Sequence, residues 1–396
     1  MKDRISIPSA PLQAIKRLNQ CGFEAYVVGG CVRDALLGKT PYDWDICTNA
    51  LPRETIACFA DFHTVPTGEE HGTVTVIIDQ TPMEVTTYRI DGAYTDGRHP
   101  DDVAFTRSLQ EDLARRDFTV NAMAFHPQKG LVDLYGGQAD LSAQVLRCVG
   151  EPAVRFAEDA LRILRGFRFA SQLGFALERE TEKSALALLP TLERVAIERI
   201  YQELSKLICG THAHRVLEQY PQVAEAVFPF AEKVSSNTLQ ALGRLPACQA
   251  LRFGMIYRDN PKALEGLYAL RAPKALAEQA SFLAKNGSHL LPDTCGELQK
   301  QIYWFGKTAI EQMLIYQTAL QILPQNTPVC WDVIQQQGLC CSLKDLAVSG
   351  RDLMQIGFPA DHTLGEALER LLFSVMEGTI PNQKEALLAY AATIKN

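Results

Sequence analysis

Asp43 and Asp45 flank Trp44, and the run YDWDIC reads as a short strand. Side chains alternate faces along a strand, so both carboxylates point the same way. Two carboxylates on one face can hold a pair of divalent ions. Such a pair activates an attacking hydroxyl and clamps the leaving oxygens of an in-line displacement at phosphorus. A D-x-D pair alone is very weak evidence, since most such pairs are merely solvated turn or strand residues, and its context changes that. Thirteen residues upstream, Gly29-Gly30 lies between a short apolar run, EAYVV, and the helically spaced CVRDALLG, which stops at Gly38. That layout of strand, glycine turn and helix exposes backbone N–H groups to an anion with no Cβ in the way. Arg33, one turn into the helix, adds a cation for the same anion. An anion seat followed closely by a same-face Asp pair is the layout of a nucleotidyltransferase holding a metal-bound nucleoside triphosphate. Glu84, in MEVTTYR, is a candidate third carboxylate on the metal side.

The elements that must carry these residues fall into two regimes. Up to about residue 140 the pattern is mixed. Residues 9–21 have helical apolar spacing, and LPRETIACFA reads as a helix opened by Pro52. GTVTVIID and MEVTTYR alternate with period two around a turn at Gln80-Thr81-Pro82, which predicts a hairpin. Residues 90–103 hold Gly/Pro breakers and several Asp with little apolar content, so they read as a long loop. From Leu141 onward the pattern is helix after helix: AVRFAEDALRILRGFRFASQLGF, then TEKSALALLPTLERVAIERIYQELSKLIC, and so on, interrupted around LPQNTP. FTVNAMAF, after Arg115-Arg116-Asp117, also has helical spacing. Boundaries are expected near Gly136-Gly137, near Gly210 and around Leu323–Pro328.

At 396 residues the chain is too long for one ordinary core. With 47% hydrophobic and 21% charged residues it is neither disordered nor repeat-biased. The first residues, MKDRISIPSAPLQAIKRL, break any apolar export signal, and no window approaches the ~20 apolar residues of a membrane helix. A cytoplasmic location without membrane association is expected. Eleven cysteines are scattered with no C-x-x-C, which points to small buried thiols and away from zinc. His71, His212 and His214 make no metal or phosphohydrolase cluster and read as structural or RNA-facing. The formal net charge of −7 argues against a protein that coats nucleic acid. Locally the sign reverses, because Arg147 to Arg168 holds five arginines against three acids. A restricted basic strip would grip RNA with moderate, salt-sensitive affinity.

GGCVRDALLGKTPYDWDI, EVTTYRIDGAYTDGRHPDDVAF, RRDFTVNAMAF, EDALRILRGFRFASQLGF and AIERIYQELSKLI together resemble the successive motifs of class II tRNA nucleotidyltransferases, the CCA-adding enzymes and their bacterial poly(A) polymerase relatives. The resemblance covers roughly residues 25–208. A later segment, LKDLAVSGRDLMQIGF, is similar to the C-terminal region of bacterial CCA-adding enzymes. It implies an α+β chain: a polymerase-β-like catalytic head (1–140), then a helical neck that recognises the base (141–210), a helical body (211–325) and a helical tail that binds tRNA (326–396). The implied reaction is template-independent addition of CCA to the 3′ end of tRNA from CTP and ATP, with two Mg²⁺ ions and release of pyrophosphate. The alternatives within the family are a poly(A) polymerase or an enzyme adding only the terminal A, and a remote alternative is a non-catalytic RNA-binding relative. No Lys/Arg run of the kind often carried by poly(A) polymerases occurs. The oligomeric state, monomer or homodimer, is left open.

By the same resemblance, Arg116 reaches the nucleotide while Asp117 and Asn121 support the site, and loop residues Asp91, Asp96 and Arg98 go with the ability to add adenosine. The neck motif has a physical reading as well. Asp159 and Arg162 are three apart, side by side on one helix face, with Arg165 and Arg168 continuing the row. A carboxylate beside a guanidinium matches the amine donor and ring-nitrogen acceptor that cytosine and adenine share. Uracil and guanine reverse that pattern and would leave polar groups unpaired, which costs about 10⁴-fold. The plain alternative is a surface i,i+3 salt bridge worth about 0.2–0.5 kcal/mol.

Overall fold

The computed structural model describes residues 5–68, 72–91, 103–231 and 233–394. Asp96, Arg98 and His71 lie outside them. The chain divides into two compact units, Met1–Val227 and Phe228–Asn396.

In the first unit the elements run α1 (Ser9–Gln20), β1 (Ala25–Val28), α2 (Gly30–Leu36), β2 (Ile46–Thr48), α3 (Pro52–Cys58), β3 (His63–Gly68), β4 (Thr73–Ile78), β5 (Thr81–Thr87), β6 (Arg89–Asp91), β7 (Val103–Phe105), α4 (Leu109–Ala114), β8 (Met123–His126), β9 (Gly130–Asp133) and α5 (Gly137–Ala143). Seven strands form one mixed sheet in the order β3-β4-β5-β2-β1-β8-β9. β1 is antiparallel to both neighbours, whereas β2 runs parallel to β5 with Ile46 opposite Val85. β1 is buried along its whole length, and β4 alternates half-buried and buried residues as its period-two sequence requires. The hairpin turns one residue earlier than expected. Asp79 and Gln80 both have positive φ, +49° and +63°, and Thr81 and Pro82 already belong to β5. The long acidic loop is shorter than its composition suggested, because Arg89–Asp91 pairs antiparallel with Val103–Phe105 at its two ends.

Three further expectations are corrected. The Asp43-Trp44-Asp45 run is not strand; the ladder begins at Ile46, because β1 ends at Val28 where Gly29 turns the chain at φ +82°. Only the bond from the Val28 N–H to the Asp45 carbonyl, 3.0 Å, reaches back into the run. FTVNAMAF is not an α-helix but a 3₁₀ turn, Thr119–Asn121, followed by strand β8. All residues from Phe118 to His126 are buried, and an apolar run buried on every side does not distinguish helix from strand by spacing. AVRFAEDALRILRGFRFASQLGF is two helices, α6 (Pro152–Glu158) and α7 (Leu161–Leu173), broken at Asp159, whose φ/ψ of −144°/103° is extended.

The rest of this unit is β11 (Ala176–Leu177), which pairs in parallel with β10 (Val145–Leu146), then α8 (Arg179–Leu188), α9 (Ile197–Ile208), α10 (Ala213–Gln219) and α11 (Pro221–Val227). Pro190 turns the stretch between α8 and α9 into a 3₁₀ segment, Leu189–Arg194. α7 packs on α9, and Gly210 lets the end of that pair close up, since a Cβ there would meet the Ser171 carbonyl at 2.6 Å.

The second unit is helical among its described residues. Helices Gln249–Ile256 and Lys274–Asn286 approach closely at Gly254, where a Cβ would meet Leu283 Cβ at 2.9 Å. The LKDLAVSGRDLMQIGF segment forms two short caps in series. Ser342 with Asp345, and Ser349 with Asp352, each exchange side-chain and backbone bonds at a helix start. The last helices close over Leu353, Leu371, Leu372 and Leu387.

Phe118 joins the sheet to α7. It is fully buried, stands edge-on to Phe169 at 5.8 Å, and packs under Gly166. Phe118→Ala is therefore expected to lower unfolding free energy by about 3–5 kcal/mol, as read from urea denaturation.

Candidate active site

A cleft of about 520 Å³ opens in the first unit, and its wall comes from six separate stretches of chain. Gly29, Gly30 and Arg33 come from the β1–α2 turn, and Asp43 and Asp45 from the run before β2. Arg115, Arg116, Asp117 and Asn121 follow α4; Asp159 and Arg162 sit at the α6–α7 break. Arg165, Arg168 and Phe169 come from α7, and Arg199 from α9. Every residue expected from the two glycines, the Asp pair, the RRD segment and the neck motif lines this one cleft. Glu84 does not; it is exposed on β5, one strand over from the Asp45 run. Among the described residues no three carboxylates, thiols or imidazoles converge as a metal cage.

The anion seat has more built into it than the glycines. A Cβ on Gly29 would meet Arg116 Nη1 at 2.9 Å, so the arginine occupies the space that the missing side chain leaves. Arg116 Nη1 donates to the Asn121 carbonyl at 3.5 Å and its Nη2 to Asp112 at 3.4 Å. Burial opposes its charge, but Asp112 overcomes this and holds it firmly protonated. Arg33 is itself buried, with its Nη1 donating to Asn121 Oδ1 at 2.6 Å and its Nε to Asp34 at 2.9 Å.

Asp117 does not face the cleft as a free acid. Its carboxylate accepts from the Phe118 N–H at 2.8 Å, from Asn121 Nδ2 at 3.2 Å and from Arg165 Nε at 2.8 Å. Burial disfavours the ionised form, yet Arg165 and these bonds hold it well below the usual carboxylate range. Arg168 Nε lies 2.6 Å from a Glu203 carboxylate oxygen, and the guanidinium sits 3.8 Å from the centre of the Phe169 ring.

The neck pair differs from the expected side-by-side arrangement. Because the helix breaks at Asp159, its carboxylate and the Arg162 guanidinium are engaged separately. Asp159 accepts from the Leu161 N–H at 3.1 Å and from Arg199 Nη2 at 2.8 Å. Arg162 pairs with Glu158 and donates to the carbonyls of Arg155 and Arg115, both at 3.2 Å. Both residues line the cleft, which sets an acceptor and a donor on a common wall. Arg199 and Phe169 were not singled out from sequence, although both fall inside the segments that carry the family resemblance. What identifies Arg199 is its partner 40 residues away, which no local spacing records.

Seven arginines and four aspartates line the cleft, a cationic wall with one anionic corner at Asp43 and Asp45. That corner fits a divalent cation. Loss of hydration against the protein wall, then Asp43, then Glu84 raise Asp45 to about 6 against a weaker opposing pull from Arg116, although its carboxylate still reaches solvent. A carboxylate pushed up by neighbouring carboxylates lacks a counter-charge that a cation would supply. Folded Asp45 keeps its proton to about pH 6, whereas the unfolded chain releases it near 3.8. Between these values the folded state binds more protons, so stability falls as pH rises. Without added metal, Asp45→Asn is expected to be more stable than the parent chain at pH 7, with the gap closing toward pH 4, as measured by chemical denaturation at both pH values.

Residues 25–147 match the family model of the poly(A) polymerase head domain, 174–232 that of a probable RNA- and SrmB-binding site of polymerase A, and 259–391 that of tRNA nucleotidyltransferase domain 2. The CCA-adding enzyme of Geobacillus thermodenitrificans is 35% identical over 390 residues, covering 96% of this chain and 95% of its own. That of Levilactobacillus brevis is 37% identical over 387 residues, covering 95% of each. The crystal structure of the Bacillus stearothermophilus CCA-adding enzyme in complex with CTP superposes with a TM-score of 0.82 at 30% identity, over 98% of both chains. The polymerase-β-like head followed by a helical remainder is thus the fold of this chain, and with relatives this similar over nearly its whole length, it belongs to the family of CCA-adding tRNA nucleotidyltransferases.

Proposed function

We propose that the cleft extends the 3′ end of tRNA by C, C and A without a template, taking CTP and ATP and releasing pyrophosphate. The observation that carries this reading is the meeting, in one cleft, of an unneutralised Asp pair, an arginine-lined anion seat and an Asp159/Arg162 wall offering an acceptor and a donor. In it, Gly29, Gly30, Arg33 and Arg116 bind the triphosphate with backbone N–H groups and cations. Arg165 and Arg168 orient the base and phosphates, and Asp117 and Asn121 hold Arg165 and Arg33 in place. Asp43 and Asp45 hold divalent metal, read here as two Mg²⁺ ions, which supplies Lewis-acid activation of the primer hydroxyl and neutralises charge developing on the leaving oxygens. Glu84 shapes the field at that corner from the neighbouring strand.

Asp159 accepts the exocyclic amine that cytosine and adenine share, and Arg162 donates to the adjacent ring nitrogen. Uracil and guanine would face acceptor with acceptor and donor with donor, which a desolvated site rejects strongly. Residues 1–140 then act as catalytic head, 141–210 as the base-recognising neck, 211–325 as body and 326–396 as a tail that contacts tRNA. The reaction belongs where tRNA is matured, in the cytoplasm.

A tRNA ending at the discriminator base, incubated with CTP and ATP, is expected to gain three nucleotides of sequence CCA. A product longer by A alone, or by many adenosines, would transfer the chain to the other branches of the family. Asp159→Ala is expected to raise UTP and GTP incorporation relative to CTP by about a hundredfold or more, read by sequencing products. Unchanged misincorporation would remove Asp159 from base reading.

A further inference from the structure

Phe169 stands on α7, buried and lining the cleft. Three guanidiniums crowd its ring. The central carbon of Arg168 lies 3.8 Å from the ring centre, that of Arg33 5.2 Å and that of Arg165 5.5 Å, all inside the ~6 Å over which an aromatic face attracts a cation. Two of these arginines share its helix, and the third comes from α2, beside the glycine turn. Elsewhere among the described residues such contacts put one cation on one ring: Arg107 on Phe23, Lys129 on Tyr26, Lys262 on Phe230 and Lys300 on Phe373. Phe118 braces the Phe169 ring edge-on at 5.8 Å.

Three like charges this close repel, and with Arg33, Arg168 and the ring all buried, little water screens them. Arg168 registers the crowding: burial, joined by Arg165 and Arg33 and opposed by Glu203, pushes it down to about 10. The nearest acids differ, Asp34 for Arg33, Asp117 for Arg165 and Glu203 for Arg168. The ring is what all three cations share. A carboxylate in its place would gather the same arginines but cancel part of their charge and repel a phosphate. An aromatic face attracts them through its quadrupole and leaves the net charge of the array intact. We infer that Phe169 is a positioning residue for the triphosphate, gathering Arg33, Arg165 and Arg168 into one cationic array that incoming phosphates meet already assembled. Preassembly matters because every side chain that must be ordered on binding subtracts from affinity. The inference deepens the reading of the cleft as a nucleoside triphosphate site and rests on it.

The test replaces Phe169 in the full chain by phenylalanines carrying one, two and three ring fluorines, which drain the negative face while keeping the ring and nearly its volume. Binding of CTP and of inorganic tripolyphosphate is read by titration calorimetry, which needs neither tRNA nor turnover. Both Kd values should rise stepwise with fluorine number, reaching about tenfold for the trifluorinated ring. A ring that only packs would give a flat series, because its shape is retained. Phe169→Leu, apolar but without a π face, should weaken both ligands at least as much as the trifluorinated ring. Kd values that stay level across the fluorinated series, or a folded Phe169→Leu chain with parent affinity, would overturn the inference. A parent chain that binds CTP and tripolyphosphate with the fluorine dependence intact, yet adds no nucleotide to tRNA, would support it and count against the catalytic reading alone.

Discussion

The architecture depends on one buried carboxylate, that of Asp117. It cannot be dehydrated as an ion without partners, and the partners it takes come from three places: the backbone just after it, the Asn121 side chain and Arg165 of α7. The Asp117 carbonyl adds a bond from the Val149 N–H. Satisfying one ion therefore fixes the 3₁₀ turn, seats Asn121 against Arg33, and pins the first helices after the sheet to the sheet itself. The apolar complement of this joint is Phe118 against Phe169. Charge sets the register and packing supplies the free energy, and the cleft walls follow from both.

The same economy runs through the rest of the cleft. Asp112 serves Arg115 and Arg116, Glu158 serves Arg155 and Arg162, and Glu203 serves Arg165 and Arg168. Each of these three acids is shared by two guanidiniums, whereas Arg33 and Arg199 pair singly with Asp34 and Asp159, and Arg165 takes Asp117 as well. Among the residues that line the cleft, seven arginines against four aspartates leave a positive surface for a polyanionic nucleotide inside a chain whose overall charge is −7. Among the described residues, Asp43 and Asp45 are the acids lining the cleft with no arginine paired to them, and loss of hydration, then Asp43 and Glu84, push Asp45 upward.

Much of this was legible in the residues alone, and what was missed has identifiable causes. The glycine turn and the period-two hairpin are local signals, and each falls where spacing put it to within a residue or two; the Asp pair lines the cleft but lies outside the strand that its alternation implied. FTVNAMAF misled because burial on every side erases periodicity. The helix break at Asp159 was invisible because nothing in FAEDALR is a breaker; Leu161 N–H and Arg199 favour the extended residue only once the tertiary structure exists. Arg199 and Glu203, which brace the wall from α9, act across 35 or more residues of sequence. Asp96 and Arg98 of the acidic loop fall outside the described residues, so their part in adenosine addition stays with the resemblance that suggested it.

The contact between Gly29 and Arg116 has a genetic consequence. The two positions share one volume: the hydrogen at 29 is the vacancy in which the guanidinium at 116 rests. Any side chain gained at 29 would displace the guanidinium and would also have to adopt φ +82°, which glycine holds without strain. A shorter residue at 116 would relieve only the first of these, so position 29 should stay closed to other residues even in a chain already changed at 116.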